Sequence, residues 1–190
     1  MPRLFVAVPI PAETGERVGR VLDAARRAIG DEGRRIRWVQ LEGLHVTLRF
    51  LGPTPAARID EIGAALDRAV EGIEAFEVRL AGAGAFPAPD RPRALWLGIA
   101  EGADQLGRLS TAFETSIAAA GWPVERRTFR PHMTIARTDG VRAAPAAALA
   151  LADAAVGLDA TFTADRAVLY RSHLGRGPAR YESLHVAALG

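Results

Sequence analysis

The chain of 190 residues has no cysteine and no lysine; all 24 of its basic residues are arginine. Without cysteine there is no thiol nucleophile, zinc ribbon, iron–sulfur cluster or disulfide scaffold. Without lysine there is no Schiff-base amine and no Walker-type phosphate lysine. Aromatic side chains make up only 6%, beside 49% hydrophobic and 24% charged residues. That balance suits one ordinary globular domain or two small lobes and excludes disorder, collagen and coiled coil. A chain of this size buries roughly two-thirds of its unfolded surface and needs no metal or disulfide to hold a core. Long hydrophobic runs are missing too. The longest N-terminal apolar stretch, Leu4 to Ile10, is too short for a membrane span and lacks the features of a signal peptide. The expectation is a cytoplasmic protein with no membrane association and no obligate protein partner.

The sequence pI is about 9.9, yet the net charge is only +2. With four His, two Tyr and no Lys, little titrates between the carboxylates and Arg, so the pI reflects buffering. A local Arg-rich groove is compatible with this, and Arg suits bidentate contact with phosphate.

Periodicity predicts a buried strand at Leu4–Val8, a helix over Glu13–Ile29 stopped by Gly30, and a short strand at Ile36–Val39. Leu44–Leu51 is a further strand ending at Gly52-Pro53. Thr54 as N-cap with Pro55 at N1 predicts a helix bearing Ile59, Ile62, Leu66 and Ile73. A strand at Phe76–Leu80, a Gly/Pro-rich connection over Ala81–Arg93 and a strand at Ala94–Ile99 follow. Then come a helix over Asp104–Ala120, a strand over Pro131–Ala136, an Ala-rich helix over Pro145–Ala155, and strands at Arg166–Tyr170 and Tyr181–Leu189. Several short strands with about four helices indicate an α/β or α+β domain.

A short internal repeat carries the chemistry. Leu44-His45-Val46-Thr47-Leu48-Arg49 and Pro131-His132-Met133-Thr134-Ile135-Ala136-Arg137 both read His-x-Thr-x, 87 residues apart. In a strand, residues i and i+2 share a face, about 6.6 Å apart, so His and Thr of each copy face one way. Val46, Leu48 and Phe50, like Met133 and Ile135, turn to the other face. Two such strands related by an approximate two-fold axis bring two imidazoles and two hydroxyls to one cleft, a set suited to a phosphodiester. One neutral imidazole takes a proton from the attacking oxygen, one imidazolium gives a proton to the leaving oxygen, and hydroxyls hold the nonbridging oxygens. An unperturbed histidine pKa near 6.5 serves both roles. The alternative is two structural strand histidines matched by chance. Ten of the 190 residues are Thr, so two of four His with Thr at +2 has a chance probability of about 2%, which favours the functional reading.

Trp38-Val39, Leu44-His45-Val46-Thr47-Leu48-Arg49-Phe50-Leu51-Gly52 and Pro131-His132-Met133-Thr134-Ile135-Ala136-Arg137 resemble the 2H phosphoesterase superfamily. The likeness is in particular to its bacterial and archaeal RNA 2′,3′-cyclic phosphodiesterases, also called 2′-5′ RNA ligases. Arg3-Leu4-Phe5-Val6-Ala7, the segment from Phe86-Pro87 to Leu95-Trp96, and Leu169-Tyr170-Arg171-Ser172 to Tyr181 share that likeness. The resemblance implies an α+β fold, a single bilobal domain over 1–190 with pseudo-two-fold symmetry and two antiparallel sheets facing a central cleft. It implies metal-independent hydrolysis of a terminal 2′,3′-cyclic phosphate to a 2′-phosphomonoester, with no cofactor. His45 matches the proton donor, His132 the proton acceptor, and Thr47 and Thr134 the phosphate-binding hydroxyls. The implied partner is RNA or a nucleotide with a 2′,3′-cyclic phosphate end.

Arg49 and Arg137 follow the histidines by four and five residues. Arg49 shares strand parity with His45 and Thr47, whereas Arg137 has the wrong parity unless the strand ends or bulges after Ala136. The family pattern favours Arg137 as a phosphate ligand; Arg49 is the weaker candidate. Arg34, Arg35, Arg37 and Trp38 precede the first motif, and Arg126, Arg127, Phe129 and Arg130 precede the second. Arg with an aromatic suits single-stranded RNA, so Trp38, Phe129 and Arg130 are candidate substrate contacts, against the ordinary alternative of core packing. His173, near Arg171, Arg176 and Arg180, and His185 lack the Thr and read as structural. No Gly-x-Ser-x-Gly elbow or carboxylate set beside the histidines supports a serine triad or a metal site. Action on a small cyclic phosphate, the reverse 2′-5′ joining reaction, and a non-catalytic RNA- or nucleotide-binding module are the alternatives.

Overall fold

The structure, a computed structural model, describes residues 1–173 and 179–190. Arg3–Pro9 forms β1, with Leu4, Phe5, Val6, Ala7 and Val8 all buried, because the strand lies inside its sheet. Ala12–Ile29 forms α1, whose Val18, Val21, Leu22 and Ala25 make one buried stripe. Gly30 ends it with a positive φ of 60° and an N–H returned to the Arg26 carbonyl; only glycine adopts that conformation without strain. The later elements are β2 (Arg37–Trp38), β3 (His45–Pro53), α2 (Ile59–Val70), β4 (Phe76–Phe86), β5 (Ala94–Glu101) and α3 (Ala103–Ala119). They are followed by β6 (His132–Arg137), α4 (Ala144–Ala154), β7 (Ala160–Ala164), β8 (Arg166–His173) and β9 (Arg180–Ala188).

Among the described residues the strands form two antiparallel sheets, in the orders β3-β1-β8-β9 and β2-β6-β5-β4-β7. The halves of the chain repeat one path: β1-α1-β3-α2, then β5-α3-β6-α4. Each first helix crosses over. α1 leaves the first sheet and packs with α4 on the second, while α3 leaves the second sheet and packs with α2 on the first. The sheets meet where β3 runs beside β6. Val46, Leu66, Leu95, Leu97, Leu106 and Met133 are among the side chains fully buried between sheets and helices. Each contributes about 2 kcal/mol relative to exposure. No described helix is long and apolar enough to cross a membrane.

Three elements differ from expectation. Thr54 does not cap α2: its Oγ1 donates to the Gly52 carbonyl at 3.2 Å, and Pro55 is extended at ψ 135°. A single turn at Ala56–Arg58 intervenes, and Ile73 falls beyond the helix end at Val70. β4 continues through the glycines to Phe86, because their lack of side chain lets β5 press close. A Cβ on Gly84 would stand 2.2 Å from the Trp96 ring, and one on Gly98 2.6 Å from the Ala81 carbonyl. β7 was not expected, since Ala160, Phe162 and Ala164 alternate inward with only one large side chain among them.

Candidate active site

His45 and His132 open β3 and β6. Pro131 supplies no strand donor and so marks where β6 begins. In the first sheet, His45, Thr47 and Phe50 lie opposite Pro9, Ala7 and Phe5 of β1. In the second, His132, Thr134 and Arg137 lie opposite Gly98, Trp96 and Ala94 of β5. Directly opposed residues share a face, and alternate residues of β1 and of β5 share a face, so each trio points one way.

Simple alternation would not produce those trios. The register slips just after the Thr of each motif, leaving Leu48 as an extra residue between Thr47 and Arg49, and Ile135 as an extra residue between Thr134 and Ala136; β3 slips a second time at Leu51. These bulges turn two successive residues, Leu48 with Arg49 and Ile135 with Ala136, toward the helices and return the following one to the face of the histidine. Arg137 therefore joins His132 and Thr134, through a bulge one residue earlier than the one the sequence required. In the first strand the same slip brings Phe50 out, 54% exposed with its ring 6.0 Å from Phe5. The expectation that Phe50 turns inward with Val46 and Leu48 is corrected.

The two imidazoles are held alike. His45 Nδ1–H donates to the Gly43 carbonyl at 2.7 Å, and His132 Nδ1–H to the Arg130 carbonyl at 2.6 Å. A carbonyl only accepts, so the proton sits on Nδ1 and Nε2 carries the lone pair of the neutral ring. Around His45 stand Phe5 (4.9 Å between centroids), Tyr181 (5.1 Å, edge-on) and Tyr170 (6.4 Å). Around His132 stand Phe86 (5.0 Å, edge-on) and Trp96 (6.3 Å). Burial is the main reason both titrate below the ordinary value. His45 is lowered to about 4 despite its carbonyl partner, and His132 is lowered by burial with a smaller contribution from the Arg137 charge. The expectation of two near-normal histidines does not hold. Burial raises the Tyr181 phenol, and Arg137 offsets part of that rise. The two faces adjoin where β3 runs beside β6, and the Arg137 charge reaches Tyr181 across that seam.

Residues 15–176 match the 2′-5′ RNA ligase superfamily. The chain belongs to that superfamily. The RNA 2′,3′-cyclic phosphodiesterase of Aeropyrum pernix is 40% identical over 129 residues, 68% of this chain and 72% of that protein. The protein of the same name from Geobacillus stearothermophilus is 29% identical over 189 residues, 95% of this chain but 55% of its own length. Among solved structures, that of E. coli LigT complexed with 3′-AMP aligns with a TM-score of 0.77 at 26% identity, covering 99% of this chain and 98% of that one.

Within this superfamily member, other sequence candidates fall away from the cleft. Arg49 lies opposite Val6 on the helix side, where Nη2 donates to the Pro123 carbonyl at 2.6 Å and the guanidinium meets Glu114 and Glu125. Its predicted place as a phosphate ligand is corrected, because the Leu48 bulge inverts its parity. Trp38 lies opposite Ala136 on the buried side of the second sheet, with Arg26 5.3 Å from its ring centroid, so base stacking in the cleft is corrected too. Phe129 is partly buried against the core and, with Gly107, Thr111 and Ala112 of α3 and with Pro131, lines a surface pocket. Arg130 is exposed without a side-chain partner among the described residues and meets the site through its carbonyl. Arg37 shares the face of Arg137 but pairs with Asp139. His173 bonds Glu182 and His185 bonds Asp67 of α2, both 2.7–2.8 Å, consistent with structural roles; Arg176 lies outside the described residues. The sequence reading missed Phe5, Phe50, Phe86, Trp96, Tyr170 and Tyr181 as cleft residues, since only strand pairing reveals their shared faces.

Proposed function

We propose that this chain is a cytoplasmic RNA 2′,3′-cyclic phosphodiesterase, working as one bilobal unit, that converts a terminal 2′,3′-cyclic phosphate to a 2′-phosphomonoester. The observation that carries the reading is the matched pair of imidazoles. Each has Nδ1–H committed to the carbonyl two residues earlier, which leaves each Nε2 for proton transfer on strands that run side by side. The curated names of the relatives support the same substrate.

In this reading His132 Nε2 takes a proton from water as the water oxygen forms its bond to phosphorus. The P–O3′ bond breaks, and the proton on His45 Nε2 passes to the departing 3′ oxygen. One proton is thus gained by His132 and one lost by His45, and exchange with solvent restores the pair. The Thr47 and Thr134 hydroxyls and the Arg137 guanidinium donate to the nonbridging oxygens, whose charge grows as water attacks. The phosphate anion also answers the low pKa of buried His45, because an adjacent negative charge favours the imidazolium. Acid and base both come from side chains, so the steps require no metal.

The test is a short RNA ending in a 2′,3′-cyclic phosphate, incubated with and without EDTA and resolved by phosphorus NMR. The expected product is the 2′-monophosphate, unaffected by EDTA and reduced at least about 100-fold in folded His45→Ala and His132→Ala. Formation of the 3′-monophosphate, EDTA-sensitive turnover, or tight binding with no turnover overturns the reading.

A further inference from the structure

α3 covers the first sheet, so the chain must cross back before β6 can join the second. The return segment, residues 120–131, is fastened to the first half of the fold. Arg58 Nη2 donates to the Ala120 carbonyl at 2.8 Å, and the same guanidinium lies 3.4 Å from the Trp122 ring centroid. Arg49 holds the middle: Nη2 donates to the Pro123 carbonyl at 2.6 Å, and Nη1 stands 3.1 Å from Glu125 Oε2. Its Nε lies 3.1 Å from Glu114 Oε2, an ion pair without hydrogen-bond geometry, while Glu114 Oε1 accepts the Glu125 amide at 2.7 Å. Only 10% of the Arg49 side chain is exposed. Five residues beyond Glu125, the Arg130 carbonyl accepts Nδ1–H of His132.

We infer that Arg49 is a positioning residue for His132: from the strand bearing the first histidine, it holds the segment whose far end orients the second. This rests on the phosphodiesterase reading for its catalytic consequence. An exposed single ion pair would contribute little. Here one planar fork meets a carbonyl and two carboxylates at once, on α3 and on the return segment, an arrangement that lysine with its single point charge cannot copy. The Leu48 bulge has a second effect in this scheme: it removes Arg49 from the cleft and delivers it to the crossover.

The test compares Arg49→Met, Arg49→Lys and Glu125→Gln with the wild-type chain, using pH-dependent imidazole nitrogen NMR together with kcat and KM. In Arg49→Met, His132 loses its single Nδ1–H tautomer and, without the Arg130 carbonyl that raises it, its pKa falls further below the ordinary value of 6.5, while His45 stays near 4 as an internal control. The accompanying kcat falls at least about ten-fold, with KM changed less than about three-fold. Arg49→Lys recovers little, and Glu125→Gln, which keeps its shape, shifts the same signals by a smaller amount. Should Arg49→Met fail to fold, Glu125→Gln carries the test alone. Unchanged His132 signals, or equal changes at His45 and His132, overturn the inference even if thermal stability drops. A wild-type chain without turnover but with the selective His132 shift would sink only the phosphodiesterase reading.

Discussion

Leu48 and Ile135 are counterparts: each is the extra residue of a β-bulge three positions after its motif histidine. The shared slip places position His+5 on the cleft face in both halves, where one half presents Phe50 and the other Arg137. A two-fold scaffold thereby acquires two unlike sides, an exposed aromatic beside His45 and a cation beside His132.

In the proposed reaction the two depressed histidines set the pH dependence of turnover. One must be protonated and the other neutral in the productive form, whichever is which. With His45 near 4 and His132 below 6.5 in the free protein, the bell of kcat/KM is centred between those values. Both limbs move to higher pH in kcat alone, since bound phosphate favours the imidazolium. A kcat/KM optimum above pH 7 in steady-state assays would contradict this.

The same burial makes the fold acid-sensitive. A histidine whose folded pKa is lowered has no effect on stability above its unfolded value of 6.5. Between 6.5 and about 4 the unfolded chain binds a proton that folded His45 refuses. Stability is therefore lost as pH falls through that window, by about 3 kcal/mol from this residue. Urea unfolding at pH 7 and pH 4.5 measures the slope, which flattens in His45→Asn. Glu125, held down to about 2 chiefly by Arg127, adds its own loss only at lower pH.

Replacing Arg137 isolates the role of the second bulge. Arg137→Met removes the cleft cation without touching either imidazole, and kcat/KM drops about 100-fold, the scale of one oxyanion donor. The released His132 titrates slightly higher, because the Arg137 charge contributes to its depression. Retention of near wild-type kcat/KM in Arg137→Met would remove Arg137 from the phosphate site.

Gly84→Ala tests the floor of the second half-site. The added methyl would meet the Trp96 ring at 2.2 Å, so the indole must leave its place opposite Thr134. The expected cost is about 2 kcal/mol of stability, with loss of activity from the displaced ring. Equal melting temperature and an unchanged Trp fluorescence spectrum would show that the ring has other room.

Much of this was legible in one dimension. Alternation and caps located nearly every helix and strand, because burying one stripe or one face is a local requirement on residue spacing. The two His-x-Thr repeats announced their chemistry because residues two apart in a strand share a face whatever the partner strand. Parity beyond Thr47 and Thr134 was a different matter. A bulge exists only relative to the strand across from it, so the sequence placed Arg49 in the cleft and Phe50 in the core, and the pairing with Val6 and Phe5 reversed both. Trp38 was misplaced for a related reason: proximity to a motif in sequence does not choose between the two sides of a sheet. The histidine pKa values likewise came from neighbours supplied by β1, β5, β8 and β9. The sequence determined which side chains are candidates for the proposed chemistry; the tertiary structure decided which side of each sheet they face and how much water reaches them, because both depend on strands that are distant along the chain.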